Sequence, residues 1–507
     1  MITSFQRLSP FQRWLRWGLW LVYIAVIGYA GVHHHPWCDE VDTWVMVRDA
    51  NFHEFITYFS YSGHPPLWYI ANLPFARWMG LPVEAQKLFP FCLSSSIVWL
   101  LLFRSPFPLW LLVPCIFSVH MIFAYGVLAR GYPLLLLLLF IVPILHPTRF
   151  THPFRYASII ALLFQTEVFA WPIAGMLTLF FAYDCWKQRK TGIPEAAKNV
   201  QLQAGLIPII SSIIALALLW PHADANPSHL GLHFLPGIFA TALIEGFVPS
   251  TSFAGIRFPQ HDSELANLII LVVMSIILSV IILTSISLQR TRSAWLFGAW
   301  LSGFYVIISC IYAGAFWHCG LIPLFLLFNF WFAQADAAIP PIAVKERVSV
   351  KLPVTRHVLY ILLTITYTLS VFIGIDVVTR DVRHPLSGAS DAAVFLHTHA
   401  AADTPIISIG CHRAVSVAAY FSQGSIWLAS QQRFTNVQRW DYNYYQCTHT
   451  PQAVMIERSL EHFKSVEKLW LVSADEIKNA SDYNLIQRYF SPGYTESYWI
   501  YEKQKPH

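Results

Sequence analysis

The sequence predicts a mainly α-helical, polytopic membrane protein, with about eleven transmembrane helices and a small C-terminal α/β domain outside the membrane. Three observations carry this. Of the 507 residues 56% are hydrophobic and only 12% charged, against about 25% charged in soluble domains. Apolar runs near the length of a bilayer crossing recur as far as residue 375, and a helix satisfies its own backbone in lipid. Beyond Asp376 the pattern changes to short alternating helix and strand segments.

The N-terminal stretch MITSFQRLSPFQRWLRW is basic and precedes the apolar run Gly18 to Val32. No small-x-small cleavage site follows, so it reads as an uncleaved anchor with Arg7, Arg13 and Arg16 on the cytoplasmic side. The spans are expected near 17–32, 88–103, 107–123, 132–146, 155–167, 169–186, 203–220, 266–287, 294–313, 318–334 and 357–375. Several are shorter than a full crossing and are expected among neighbouring helices. The count turns on Arg155 to Trp186, interrupted by Gln165-Thr166-Glu167 and Trp171-Pro172. As a hairpin with Glu167 at the outer turn it places Lys187, Arg189 and Lys190 inside, as the positive-inside rule prefers. Arg104, Arg149, Lys198, Arg290, Arg292, Lys345, Arg347 and Lys351 then fall inside too. The net charge of +5 is thus topological, and no basic surface marks a nucleic-acid partner.

Residues 1–375 form the expected membrane domain and 376–507 the outer one. Three outer segments are long: His33 to Lys87, Pro221 to Leu265, and the chain from Asp376. The first contains VDTWVMVRDANFHEFITYF, whose apolar spacing predicts helices lying in the membrane surface. The C-terminal portion alternates DAAVFLHTHAA, PIISIG, RAVSVAAYFS, SIWLAS, PQAVMIERSLEHF, KLWLVS and SYWIYEK, a βαβ rhythm expected to give a mostly parallel sheet. No Gly-rich phosphate fingerprint opens its helices. Cys92, Cys115, Cys185 and Cys310 read as packing residues. Cys411 and Cys447 are candidates for a disulfide in an oxidising compartment, with Cys38 and Cys319 a weaker pair.

The candidate site begins at Asp39-Glu40, just past the first span. A carboxylate there is placed to act as general base toward an acceptor, and adjacent helical side chains diverge by about 100°. One of the pair is expected to face the cavity and the other to hold local structure, with Asp42 a third acid nearby; the structural alternative is that Asp39 caps the following helix. In GHPPLWY, Pro65-Pro66 sets a turn that holds His64 ahead of a helix, or is a plain interfacial turn. In LARGYPLLLLLL, Arg130 offers a fork to a lipid phosphate, oriented by Tyr132, or snorkels to head groups. Glu167 is either a site acid at membrane depth or a solvated turn residue. His318, in GAFWHCGL, either contacts phosphate or packs beside Trp317. His33-His34-His35 lacks the spacing of a defined zinc motif and reads as a polar boundary; with Asp39 it leaves a divalent metal as an option that the chemistry does not require.

An acidic pair in a first outer loop, then HPPL, then an ARGY-type helix entry, resembles the GT-C superfamily of glycosyltransferases over about residues 10–335. The branch it is most similar to contains protein O-mannosyltransferases, lipid A aminoarabinose transferases and Rgt-like bacterial transferases. That resemblance implies transfer of a sugar from a polyprenyl-phosphate carrier to an extracytoplasmic acceptor, at the inner (cytoplasmic) membrane. It assigns the loop carboxylate to Asp39 with Glu40 beside it, the HPPL segment to His64–Leu67 and the entry Arg to Arg130. FWHCGL is similar to an RHxG-type stretch, with Trp317 where that stretch has Arg. A transporter or flippase and a non-catalytic envelope scaffold are the competing readings; the sequence shows neither an internal repeat nor polar residues spread across the membrane as transport needs.

Overall fold

The computed structural model describes residues 9–190, 194–225, 236–249, 291–311, 314–337, 353–478, 483–491 and 496–504, with a few positions between 272 and 282. The expected span 266–287, most of the segment 221–265, and Arg290, Lys345, Arg347 and Lys351 lie outside the described residues or largely so.

The chain is a polytopic helical membrane protein with a small α/β domain. Helix α1 (Pro10–His33) is followed by three short helices, α2 (Cys38–Asp49), α3 (Phe52–Ser62) and α4 (Leu67–Leu73). Then come α5 (Leu88–Phe103), α6 (Leu109–Ile116), α7 (Tyr132–Leu145), α8 (Pro153–Phe164), α9 (Trp171–Arg189) and α10 (Glu195–Leu219). The helices Pro236–Phe247, Thr291–Val306, Leu321–Ala337 and Pro353–Arg383 complete the bundle. Among the described residues, seven helical stretches are long and apolar enough to cross a membrane, and Tyr132–Thr148, Pro153–Phe164 and Ile238–Phe247 are shorter apolar helices. The expected span 107–123 is broken: α6 carries Pro114 in its interior and stops at Ile116, and a wider turn follows at His120–Ala124. Every residue from Leu321 to Ala333 is buried, and Asn329 is the one polar side chain among them, the mark of a central helix. The hairpin at Glu167 is present as α8, a turn and α9, and the last long helix runs past residue 375 to Arg383.

Two expectations are corrected by burial and pairing. Helix α2 is covered on nearly every side rather than presenting a single apolar face. Nine of its residues are buried, because the C-terminal domain covers the side that the bundle leaves open. Val41, Trp44 and Val45 share one hydrophobic core with Ala392, Val415, Ile426 and Trp470. Arg48 donates to the Ala419 carbonyl at 2.7 Å, and Asn436 donates to Asp49 at 3.1 Å. Asn51 caps α3, which explains the break between the two helices.

The C-terminal sheet is mixed rather than mostly parallel. Its strands are β1 (Ile406–Ile409), β2 (Ile426–Leu428), β3 (Arg433–Phe434), β4 (Lys468–Ser473), β5 (Asn484–Tyr489) and β6 (Tyr498–Gln504), in the order β3-β2-β1-β4-β6-β5. Only β1–β2 and β1–β4 are parallel, joined by crossovers that contain helices. The short connections β2–β3 and β5–β6 leave room only for antiparallel pairing. Cys411 and Cys447 form a disulfide. Cys38 and Cys319 are both free and buried, so that weaker pairing is not made.

At the end of the bundle away from α2, Asp184 receives Arg149 Nε at 3.0 Å and Arg292 Nη1 at 3.0 Å, while Asp336 meets His146 at 3.1 Å. Asp184 and Arg149 are buried. Replacing Asp184 with Ala leaves two guanidinium groups without their shared carboxylate. The expected loss of stability is about 3–5 kcal/mol, read as a lower unfolding temperature in detergent.

Candidate functional site

The site forms where α1 ends and α2 begins. Trp37 precedes the first turn of α2, and Asp39 and Glu40 are its second and third residues. The cap is made by Glu40 rather than Asp39: Glu40 Oε2 accepts the Trp37 N–H at 3.2 Å. Glu40 is wholly buried, and its Oε1 accepts the Ala129 N–H at 2.6 Å. Its Oε2 also meets His34 Nε2 at 2.9 Å, and His34 Nδ1 meets Asp381 Oδ2 at 3.0 Å. Burial opposes a charge on His34, but the Glu40 and Asp381 carboxylates outweigh it and push the imidazole up to about 10. A fixed imidazolium therefore ties α1 and α2 to the last long helix.

Asp39 turns the other way and keeps part of its surface exposed. Its Oδ2 pairs with Arg130 Nη1 at 3.2 Å, and its carbonyl accepts from the same nitrogen at 2.8 Å. The guanidinium lies over the Trp317 ring, 5.5 Å from its centre. The acidic pair thus grips two consecutive residues, Glu40 through the Ala129 backbone and Asp39 through the Arg130 side chain.

Residues 129–132 are the hub to which the other candidates attach. Pro66 precedes α4, and the Leu67 N–H donates to the Gln165 carbonyl at 2.9 Å. This brings the loop beside the α8–α9 turn, where His64 Nδ1 meets Glu167 Oε2 at 3.0 Å. Glu167 is buried, not solvated. A Cβ at Gly131 would sit 2.8 Å from Glu167 Oε1, so glycine is needed there for the carboxylate to approach. Gly131→Ala is expected to leave stability within about 1 kcal/mol, because the displaced atom ends a flexible side chain. It should nevertheless push Glu167 away from His64, seen as a changed His64 imidazole NMR resonance at a nearly unchanged unfolding temperature.

Tyr132 Oη and His318 Nε2 are 2.6 Å apart. His318 Nδ1 accepts the Ala315 N–H at 2.7 Å, so Nε2 carries the proton and donates to the tyrosine. All seven candidates, Asp39, Glu40, His64, Arg130, Tyr132, Glu167 and His318, are therefore joined through one short stretch of chain.

Asp42 belongs with them and was not singled out as a site residue. It stands three residues after Asp39, hence on the same helical face. Burial raises its carboxyl to about 6, against the pull of hydrogen bonds from Tyr58 and Trp440. His34 was read only as part of a histidine triplet. Both its ring nitrogens are engaged by carboxylates and His33 Nδ1 meets the Tyr29 carbonyl at 2.9 Å, so the triplet does not converge. Among the described residues no group of three or more His, Cys, Asp or Glu is placed to hold a metal ion.

These features define a multi-pass helical membrane protein with a cluster of acids, histidines and one arginine at one end of the bundle, beneath an α/β domain. No family model matches the sequence, and no curated protein does. Among solved structures the chain is similar to ArnT from Cupriavidus metallidurans. The apo form aligns over 97% of this chain and 98% of that one, at 10% identity and a TM-score of 0.48. The form bound to undecaprenyl phosphate aligns over 96% and 97%, at 10% identity and a TM-score of 0.47.

Proposed function

We propose that this protein is a GT-C-type glycosyltransferase that moves a sugar from a polyprenyl-phosphate carrier to an extracytoplasmic acceptor, with inversion at the anomeric carbon. The single observation that carries the reading is the Asp39–Arg130 pair, in which a partly exposed carboxylate and a phosphate-seeking fork meet at one end of the bundle. The lipid tail lies between helices, and its phosphate is met by Arg130, with the Tyr132–His318 pair behind it. Asp39 takes the proton from an acceptor hydroxyl or amine as that atom attacks the face opposite the leaving lipid phosphate. The transition state is oxocarbenium-like, and placement of two substrates with a cation at the phosphate supplies most of the acceleration. Glu40 and His34 position the pair, and His64 with Glu167 forms the substrate-facing wall on the other side of residue 131. In this reading the protein is a multi-pass protein of the inner membrane, and its C-terminal domain is extracytoplasmic.

The placement of polar groups favours an enzyme over a transporter or a scaffold. The site occupies one end of the bundle, and buried ion pairs join helices at the other end. The test is purified full-length protein with radiolabelled polyprenyl-phosphate sugars and, separately, undecaprenyl phosphate binding. Arg130→Ala is expected to weaken undecaprenyl phosphate binding by about 10–100-fold, the loss of one charge-assisted phosphate contact. Arg130→Lys should recover part of it. Unchanged lipid binding in Arg130→Ala counts against the assignment, and vesicle accumulation without transfer supports transport.

A further inference from the structure

The C-terminal domain reaches the acidic end of α2 directly. Glu496 is wholly buried, and it accepts the Cys38 N–H at 2.8 Å and the Ser387 hydroxyl at 2.7 Å. Trp440 hydrogen-bonds to Asp42. The Trp440 and Tyr444 rings are 4.4 Å apart, the His412 and Trp440 rings 5.8 Å, and His412 Nδ1 lies 3.1 Å from Tyr444 Oη. His412 and Tyr444 both stand within electrostatic reach of Asp39.

Two separate segments supply these rings. His412 sits in the turn after β1, and Tyr444 on the helix Tyr442–His449. The disulfide Cys411–Cys447 joins the two segments, starting from the residue next to His412. Tyr444 is buried, whereas His412 and Trp440 each keep part of their surface open. The cluster ends on the carboxylates of Asp39 and Asp42 rather than on further apolar side chains. Partly open rings beside two acids suit a sugar: the C–H faces of a pyranose lie on aromatic surfaces, and its hydroxyls bond to carboxylate and imidazole.

We propose that His412 and Trp440, backed by Tyr444 and held in place by the Cys411–Cys447 disulfide, form the wall that binds a pyranose ring of the acceptor beside Asp39. The acceptor role rests on the transfer reading given above; the pyranose-binding wall itself does not.

The experiment uses the full-length protein in detergent with two independent probes, undecaprenyl phosphate and a panel of methyl pyranosides followed by saturation-transfer NMR. Wild type is expected to bind at least one pyranoside. His412→Ala, Trp440→Ala and the double variant Cys411→Ser with Cys447→Ser should each lose about fivefold or more of that signal, the size of one aromatic contact. Undecaprenyl phosphate binding should stay near the wild-type level. Trp440→Phe, which keeps a ring, should recover part of the pyranoside signal. Reduction of the intact wild type, followed in the same sample, should reproduce the double variant's loss without reliance on its folding. Failure of wild type to bind any pyranoside, or equal binding by all variants, overturns the proposal. Pyranoside binding that depends on the wall, without undecaprenyl phosphate binding by wild type, would leave the wall standing and remove the transfer reading.

Discussion

Asp39→Asn is expected to lower sugar transfer by about 10²–10⁴-fold, the usual contribution of a positioned general base. The substitution keeps the shape of the side chain and leaves Glu40, which makes the cap and holds Ala129, untouched. The protein should therefore insert, fold and unfold as wild type does. The carbonyl of residue 39 still holds Arg130 Nη1, while the ionic half of the pair is gone. A phosphate then meets less competition for the guanidinium, so undecaprenyl phosphate should bind at least as well as before. This combination separates loss of the base from loss of the site: transfer falls while lipid binding holds. Full activity in Asp39→Asn would falsify the assignment, and equal loss of both measurements would make Asp39 a structural partner of Arg130.

The second large effect is at His34. Removing the imidazole leaves Glu40 and Asp381 facing one another in a buried space without the cation that bridges them, with Lys87 still in electrostatic reach of both. The expected cost of His34→Ala is about 3–5 kcal/mol. The same triad predicts a pH dependence of fixed sign. The folded state holds the His34 proton up to about 10, whereas the unfolded chain releases it near 6.5. Its contribution is then fully present below pH 6.5 and is lost as pH rises through 10, at about 1.4 kcal/mol for each unit in that window. Unfolding temperatures in detergent across this range should fall for wild type and flatten for His34→Gln. Parallel slopes for the two proteins would sink the claim. Because Glu40 also grips Ala129, transfer should decline with stability in these variants.

Most of the expected helical stretches were legible because hydropathy acts on contiguous residues. The hairpin at Glu167 emerged from the same reasoning, and α6 departed from it because Pro114 and the turn at His120 split an apolar run that composition alone reads as continuous. The burial of α2 was not legible. Its cover comes from residues beyond Ala389, and an amphipathic pattern does not say which partner hides the second face. His34 failed for the same reason: one of its carboxylate partners is six residues away, but the other is on the last long helix. The mixed sheet followed from short connections that the strand-like runs did not reveal. Among the site residues, types and neighbourhoods were readable, whereas the hub at residues 129–132 depends on a backbone contact from Glu40 and a close approach at Gly131.

The core that α2 shares with the C-terminal domain has a consequence for how the molecule is made. During synthesis the segment carrying Asp39 leaves the ribosome long before the residues that roof it. Until Ala389 onward has emerged, Val41, Trp44 and Val45 have only the buried core residues as far as Ala129 and lack the C-terminal half of that shared core. A nascent chain halted after Arg383 would already thread the bilayer, yet its mouth would remain unassembled and exposed to holdase chaperones or proteases. Assembly of the Asp39–Arg130 end thus waits on the segment that follows Arg383, and a premature stop there should yield an inserted but immature product.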